Sequence, residues 1–161
     1  MLHYKLDASG GGFANSNLLT GNVNEVSTWV LNQATATNND GGIRVQITSD
    51  TGDRRIYRAV TNVWTPANST FTVSFEAKAA TNNITLNVSR SNIATDMINF
   101  SLTTEWKHYS GQIVNTAAVD GGTLSIRCVT NGAIFWVKNV KLERGEIETR
   151  FLPSTESSAI I

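Results

Sequence analysis

The sequence is short of most of the residues by which chemistry is recognised. It has one cysteine, two histidines and two prolines in 161 residues, and its 13 basic and 13 acidic side chains make up only 16% of the chain. A single cysteine closes no internal disulfide, and Cys128 lies in the apolar string LSIRCVT, where it reads as a small core residue. With histidine limited to His3 and His108, zinc chemistry lacks ligands. A formal net charge of zero with no basic tract leaves no electrostatic footprint for nucleic acid or an anionic membrane. The longest apolar run is Ala133-Ile-Phe-Trp-Val137, too short to span a bilayer as a helix. The opening MLHYKLDASGGG has no basic region followed by an apolar stretch, so it is not read as a secretory signal.

What the chain has instead is 17 Asn, 20 Thr and 14 Ser, about a third of all residues. Asn and Ser favour turns and Thr favours strands, a mixture that suits a turn-rich β domain. Short alternating segments follow one another. GGIRVQIT sets Ile43, Val45 and Ile47 against Arg44, Gln46 and Thr48. STFTVSFEAKA sets Phe71, Val73, Phe75 and Ala77 against Thr72, Ser74, Glu76 and Lys78. NITLNVSR and GTLSIRCVT repeat the pattern, and RRIYRAV, MINFSLT, EWKHYSGQIV and AIFWVKNVKLE complete a set of eight or nine strands. No twelve-residue window holds a 3.6 period. Strands with one apolar and one polar face predict an all-β fold, a sandwich of two antiparallel sheets. Residues 1–16, with Gly10-Gly11-Gly12, read as a flexible lead-in, 17–152 as the compact module and 153–161 as an outgoing connector.

Four strings then resemble one family. TPANSTFTVSFEAKA, FSLTTEWKHYSGQIV, AIFWVKNVKLERGEIETRFLPS and the opening NSNLLTGN before Trp29 are similar, in order and spacing, to the family 4/9/22-like carbohydrate-binding modules. The closing string is most like the copies in bacteriophage and prophage tail, baseplate and fibre proteins. The resemblance implies a jelly roll, and a non-catalytic module that binds bacterial surface polysaccharide. It also implies neighbouring chains of a tail or fibre as partners, and a place on the virion, extracellular in action. Two alternatives stay open: a fibre spacer with no sugar site, and an accessory domain of a secreted glycan-degrading enzyme. The family often has an Asp before the final Val-x-Leu, beside a structural calcium. Here Val137-Lys138-Asn139-Val140 puts a cation in that place, so no cofactor is expected, with calcium left open through Asp40, Asp50 and Asp53.

Sugar recognition needs flat apolar faces for pyranose C–H groups and planar polar side chains for paired hydroxyls. The polar-face positions supply Arg44, Gln46, Glu76, Lys78, Asn87, Ser89 and Arg127, and Arg55 shares a parity with Tyr57. The plainer reading of the same residues is a solvated sandwich face. Trp29 and Trp106 are expected in the core. Trp64, in the connector AVTNVWTPANS, is either a lid on the sandwich end or a stacking platform. Trp136 depends on where a bulge falls near Lys138 and Asn139. The ligand-binding candidates are thus Trp64, Tyr57, Arg55, Trp136, Arg127, Asn87, Glu76 and Gln46. Catalysis is not expected: no two carboxylates form an obvious glycosidase pair, and His108 has no GxSxG elbow nearby.

Overall fold

The computed structural model describes residues 15–61, 63–90 and 96–153. The predicted lead-in (apart from Asn15 and Ser16), His3 and all of the connector but Pro153 lie outside the described residues. The strands are β1 (Val30–Asn32), β2 (Ala34–Asn39), β3 (Gly42–Ile47), β4 (Arg55–Ala59), β5 (Trp64–Thr65) and β6 (Ser69–Ala79). They continue with β7 (Ile84–Arg90), β8 (Met97–Leu102), β9 (Lys107–Asn115), β10 (Val119–Asp120), β11 (Thr123–Arg127) and β12 (Ile134–Arg144). The only helix among the described residues is a single 3-10 turn, Val26–Thr28.

Ten strands form two five-stranded antiparallel sheets, ordered β1-β4-β11-β7-β8 and β2-β3-β12-β6-β9, while β5 and β10 pair by themselves. The expected jelly-roll sandwich is therefore the fold. The alternation assigns the faces as read: Ile43, Val45, Phe71, Val73, Phe75, Ala77, Leu86, Val88, Leu124, Ile126 and Cys128 all lie in the core. Burial raises the Cys128 thiol pKa, leaving it an inert packing group. Phe75 meets Phe100 of the opposite sheet edge to face, with ring centres 5.0 Å apart. Gly111 of β9 makes room for that contact, since a Cβ there would lie 2.8 Å from Ile98 Cδ1. The strands not foreseen are β2, whose ATATNN holds only small and polar side chains, and the two-residue β5 and β10.

At the centre of the second sheet, β12 has one residue too many. Lys138 pairs with Glu76 and Lys141 with Ser74, so three steps along β12 match two along β6. The extra residue is a β-bulge centred on Asn139, whose φ of 55° is a conformation Asn tolerates better than most residues. Asn139 N–H donates to Asn24 Oδ1 at 2.7 Å, and Asn17 Nδ2 donates to the Val140 carbonyl at 2.9 Å. Two asparagines of the N-terminal stretch thus take up groups that the ladder loses. Because the bulge resets the alternation, Val137, Val140 and Leu142 are all buried.

Beyond the bulge the outward side chains of β12 are Lys141 and Glu143, both almost fully buried although they face away from the core. Residues 145–153 cover them. Lys141 Nζ donates to Thr149 Oγ1 at 2.7 Å and to the Arg150 carbonyl at 2.8 Å, and lies 3.6 Å from Glu143. Glu143 accepts from the Thr149 amide at 3.1 Å and from its hydroxyl at 2.6 Å. Gln112 donates to the Glu146 carbonyl, His108 bonds Glu148, and Phe151 packs on the core. Glu143→Ala strands a buried ammonium, for which a loss of about 3–5 kcal/mol is expected. Urea denaturation measures it, and a loss below about 1 kcal/mol contradicts this account of the strap.

Candidate functional site

Strand register sorts the outward side chains into rows. On the first sheet one row runs Asn32, Arg55, Arg127, Asn87 and Asn99, one residue from each of the five strands. All five carry planar hydrogen-bonding groups. The neighbouring row runs Val30, Tyr57, Ser125, Ser89 and Met97. Ser125 and Ser89 are only 2% and 7% exposed although they share the outward parity of this row.

The row is held in place from below and from one side. Asp53 pairs with Arg55 Nε and Arg127 Nη2, each at 2.7 Å, and accepts from Asn32 Nδ2 at 3.2 Å. Arg55 also donates to Ser125 Oγ at 2.8 Å, and its guanidinium lies 4.4 Å from the Tyr57 ring centre. Asn87 Nδ2 donates to Asn99 Oδ1 at 2.6 Å. Fixing long side chains in advance lowers the entropy a ligand must remove on binding.

The second sheet shows different chemistry on its outward face. One row there runs Thr37, Arg44, Trp136 and Lys78 across β2, β3, β12 and β6, and Trp106 stands beside Lys78 at the mouth of β9. Trp136 Nε1 donates to Asn39 Oδ1 and Trp106 Nε1 to Asp40 Oδ2, both at 2.9 Å. Lys78 Nζ pairs with Asp40 at 2.7 Å, with the Trp106 and Trp136 ring centres 4.9 and 5.1 Å away. Lys138 Nζ sits 4.1 Å from the Trp106 ring centre. Gly42 permits this, since a Cβ there would lie 2.7 Å from Lys138 Cβ and against the Val137 carbonyl.

The expected site residues therefore divide. Arg55, Tyr57, Arg127 and Asn87 come together on the first sheet. Trp136, Glu76 and Gln46 lie on the outward face of the second, where Glu76 accepts from Asn139 Nδ2 at 2.6 Å. Trp64 is on neither: it is 59% exposed on β5, so it does not act as a lid. Trp29 is buried as expected, with Nε1 bonded to the Val23 carbonyl. Trp106 corrects the sequence reading, being half-buried on the outward face rather than in the core. Its parity with His108, Ser110 and Gln112 carried that signal. Asn32 and Asn99 were not among the candidates, and only the strand register brings them into the row.

A cavity of about 850 Å³ lies between residues 15–25, the β2–β3 turn and residues 151–153. Asn22, Asn24, Asn38, Asn39 and Asp40 line it. It does not touch the planar row of the first sheet, whose chemistry is the better guide to function. Of the residues left open for calcium, Asp40 and Asp53 are already committed to cationic side chains. Asp40 is engaged by Lys78 and Trp106, Asp53 by two arginines, and Lys138 stands beside the bulge. No group of three or more His, Cys, Asp or Glu side chains fit for a metal occurs among the described residues.

No family model and no curated protein matches the sequence. Solved structures do match in fold. A family 4 carbohydrate-binding module is 14% identical with a TM-score of 0.59, over 74% of this chain and 96% of that one. The CBM22-1 xylan-binding domain of Paenibacillus barcinonensis Xyn10C is 16% identical with a TM-score of 0.54, over 84% and 98%. The enzymatically active domain of bacteriophage CBA120 tailspike protein 4 is 12% identical with a TM-score of 0.57, over 80% of this chain but 21% of that one. The chain has the fold of carbohydrate-binding modules.

Asp40 gives a readout for the second face. The Lys78 and Trp106 hydrogen bonds, and the Lys78 charge, hold its pKa below the ordinary 3.8. A lowered carboxylate pKa means the contact is present at and above that ordinary value and is lost as pH falls through the lowered one. Tryptophan fluorescence should therefore show an acid transition below pH 3.8 that Asp40→Asn removes. An unchanged transition in the variant contradicts the assignment.

Proposed function

We propose that the chain is a non-catalytic module that binds a neutral polysaccharide along the outward face of its first sheet. The observation that carries this reading is the row Asn32, Arg55, Arg127, Asn87 and Asn99, one planar donor or acceptor per strand. Successive strands are about 4.8 Å apart, so the row offers paired hydrogen bonds at regular intervals to a sugar chain laid across the strands. Tyr57 supplies an aromatic side chain beside it, in the neighbouring row. The binding domains it resembles in fold support the ligand class.

The setting we propose is a bacteriophage tail, baseplate or fibre protein, with bacterial surface polysaccharide as ligand and neighbouring chains of the particle as partners. The closing-strand resemblance and the tailspike likeness support it. A shallow face binds weakly, and many copies on one particle would supply avidity.

Calorimetric titration with neutral oligosaccharides and bacterial surface polysaccharides tests the reading. Arg127→Ala and the milder Asn99→Ala should each weaken binding while the melting temperature of Asn99→Ala stays within a few degrees. A charged hydrogen bond is worth about 1.5–3 kcal/mol, so Arg127→Ala should cost roughly tenfold or more. No binding at millimolar ligand, or binding indifferent to both changes, overturns it in favour of a fibre spacer.

A further inference from the structure

The outward face of the second sheet has a composition that the first sheet's role leaves unexplained. Its row alternates Arg44, Trp136, Lys78 and Trp106 across adjacent strands, with Lys138 one step away. Arg44, Lys78 and Lys138 outnumber the two carboxylates beside the indoles, and both of those are already engaged: Asp40 by Lys78 and Trp106, Glu76 by Asn139. Farther out, Glu148 bonds His108 and Glu25 accepts from Asn38. Neither Arg44 nor Lys138 has a carboxylate partner among the described residues. Each rests instead against an indole, Arg44 at 5.7 Å from the Trp136 ring centre and Lys138 at 4.1 Å from that of Trp106. The rings are in turn fixed through their N–H groups by Asn39 and Asp40.

We propose that this face is a second binding surface, separate from the first, for a polysaccharide of uronic acids. Cations two strands apart are roughly 10 Å apart, with an aromatic ring between them. A uronic acid polymer presents the complement, a carboxylate on each residue and a ring face with exposed C–H groups. A polyphosphate chain matches the charge but has no ring for the indoles. The aromatic contacts restrain the cationic side chains in advance, so less of their freedom remains to be lost on binding. The residues that anchor the indoles, Asn39 and Asp40, also line the 850 Å³ cavity, which extends the surface beyond the sheet edge. Among the described residues, 145–153 lie over Lys141 and Glu143 and reach β9 at His108 and Gln112, while Arg44, Trp136 and Lys78 make no contact with them that replaces their indole and Asp40 partners.

The test is calorimetric titration of the intact chain with polygalacturonate oligomers, neutral galactan oligomers and inorganic polyphosphate, at low and high salt. Uronate binding should weaken with salt. It should fall at least tenfold in the double variant Arg44→Gln/Lys138→Gln and survive Arg127→Ala, which strikes only the neutral-glycan face. Trp136→Phe separates ring contact from charge: it should weaken uronate binding about threefold and leave polyphosphate unaffected. Circular dichroism establishes that each variant is folded. Absence of uronate binding at millimolar ligand overturns the proposal. So does uronate binding unchanged in the Gln pair, or equal affinity for polyphosphate. Loss of uronate binding in Arg127→Ala would place the ligand on the first face and overturn the separation.

Discussion

The extra residue in β12 is the constraint on which the rest of the molecule depends. This strand is the middle of its sheet, bonded to β3 on one side and β6 on the other, so its face alternation governs both. Were β12 regular through Asn139, Val140 and Leu142 would turn outward and Lys141 and Glu143 would enter the apolar interior. With the bulge, Phe135, Val137, Val140 and Leu142 all stay inside. The bulge also strips ladder hydrogen bonds from its neighbours, and Asn17 and Asn24 replace them. The N-terminal stretch is thus fastened to the last strand at the point where the ladder is weakest.

The same bulge divides the outward face of the second sheet. Before it, Trp136 and Lys138 stand open beside Lys78 and Trp106. After it, Lys141 and Glu143 are sealed under the strap that ends the described chain. Among the described residues no such strap covers the planar row of the first sheet, where Arg55 and Arg127 pair with one carboxylate, Asp53. One sandwich therefore carries two outward surfaces with different chemistry: asparagines and two arginines gathered on one carboxylate on the first, and cations laid on tryptophan rings on the second.

The strands with clean alternation were legible in the sequence, and so was the two-sheet sandwich. Ile43, Val45, Phe71, Val73, Leu124 and Ile126 report their side by period two alone. What period two does not report is sheet membership. Gln46 and Asn87 have the same outward signature, yet lie on opposite faces because β3 and β7 belong to different sheets. The candidate residues were therefore pooled from two surfaces. Trp106 was read as core from its resemblance to a family string, although its parity with His108 already placed it outward. Register was beyond the sequence too: nothing in the string aligns Asn32 with Asn99 across three intervening strands.

The central claim is that the planar row of the first sheet receives the glycan. The most direct measurement is a two-dimensional amide NMR titration with a neutral oligosaccharide that binds. The side-chain amides of Asn32, Asn87 and Asn99 should shift together and saturate with one affinity, while the Trp106 and Trp136 indole N–H signals stay in place. Shifts confined to the indoles, or to amides lining the cavity such as those of Asn22 and Asn38, would contradict it.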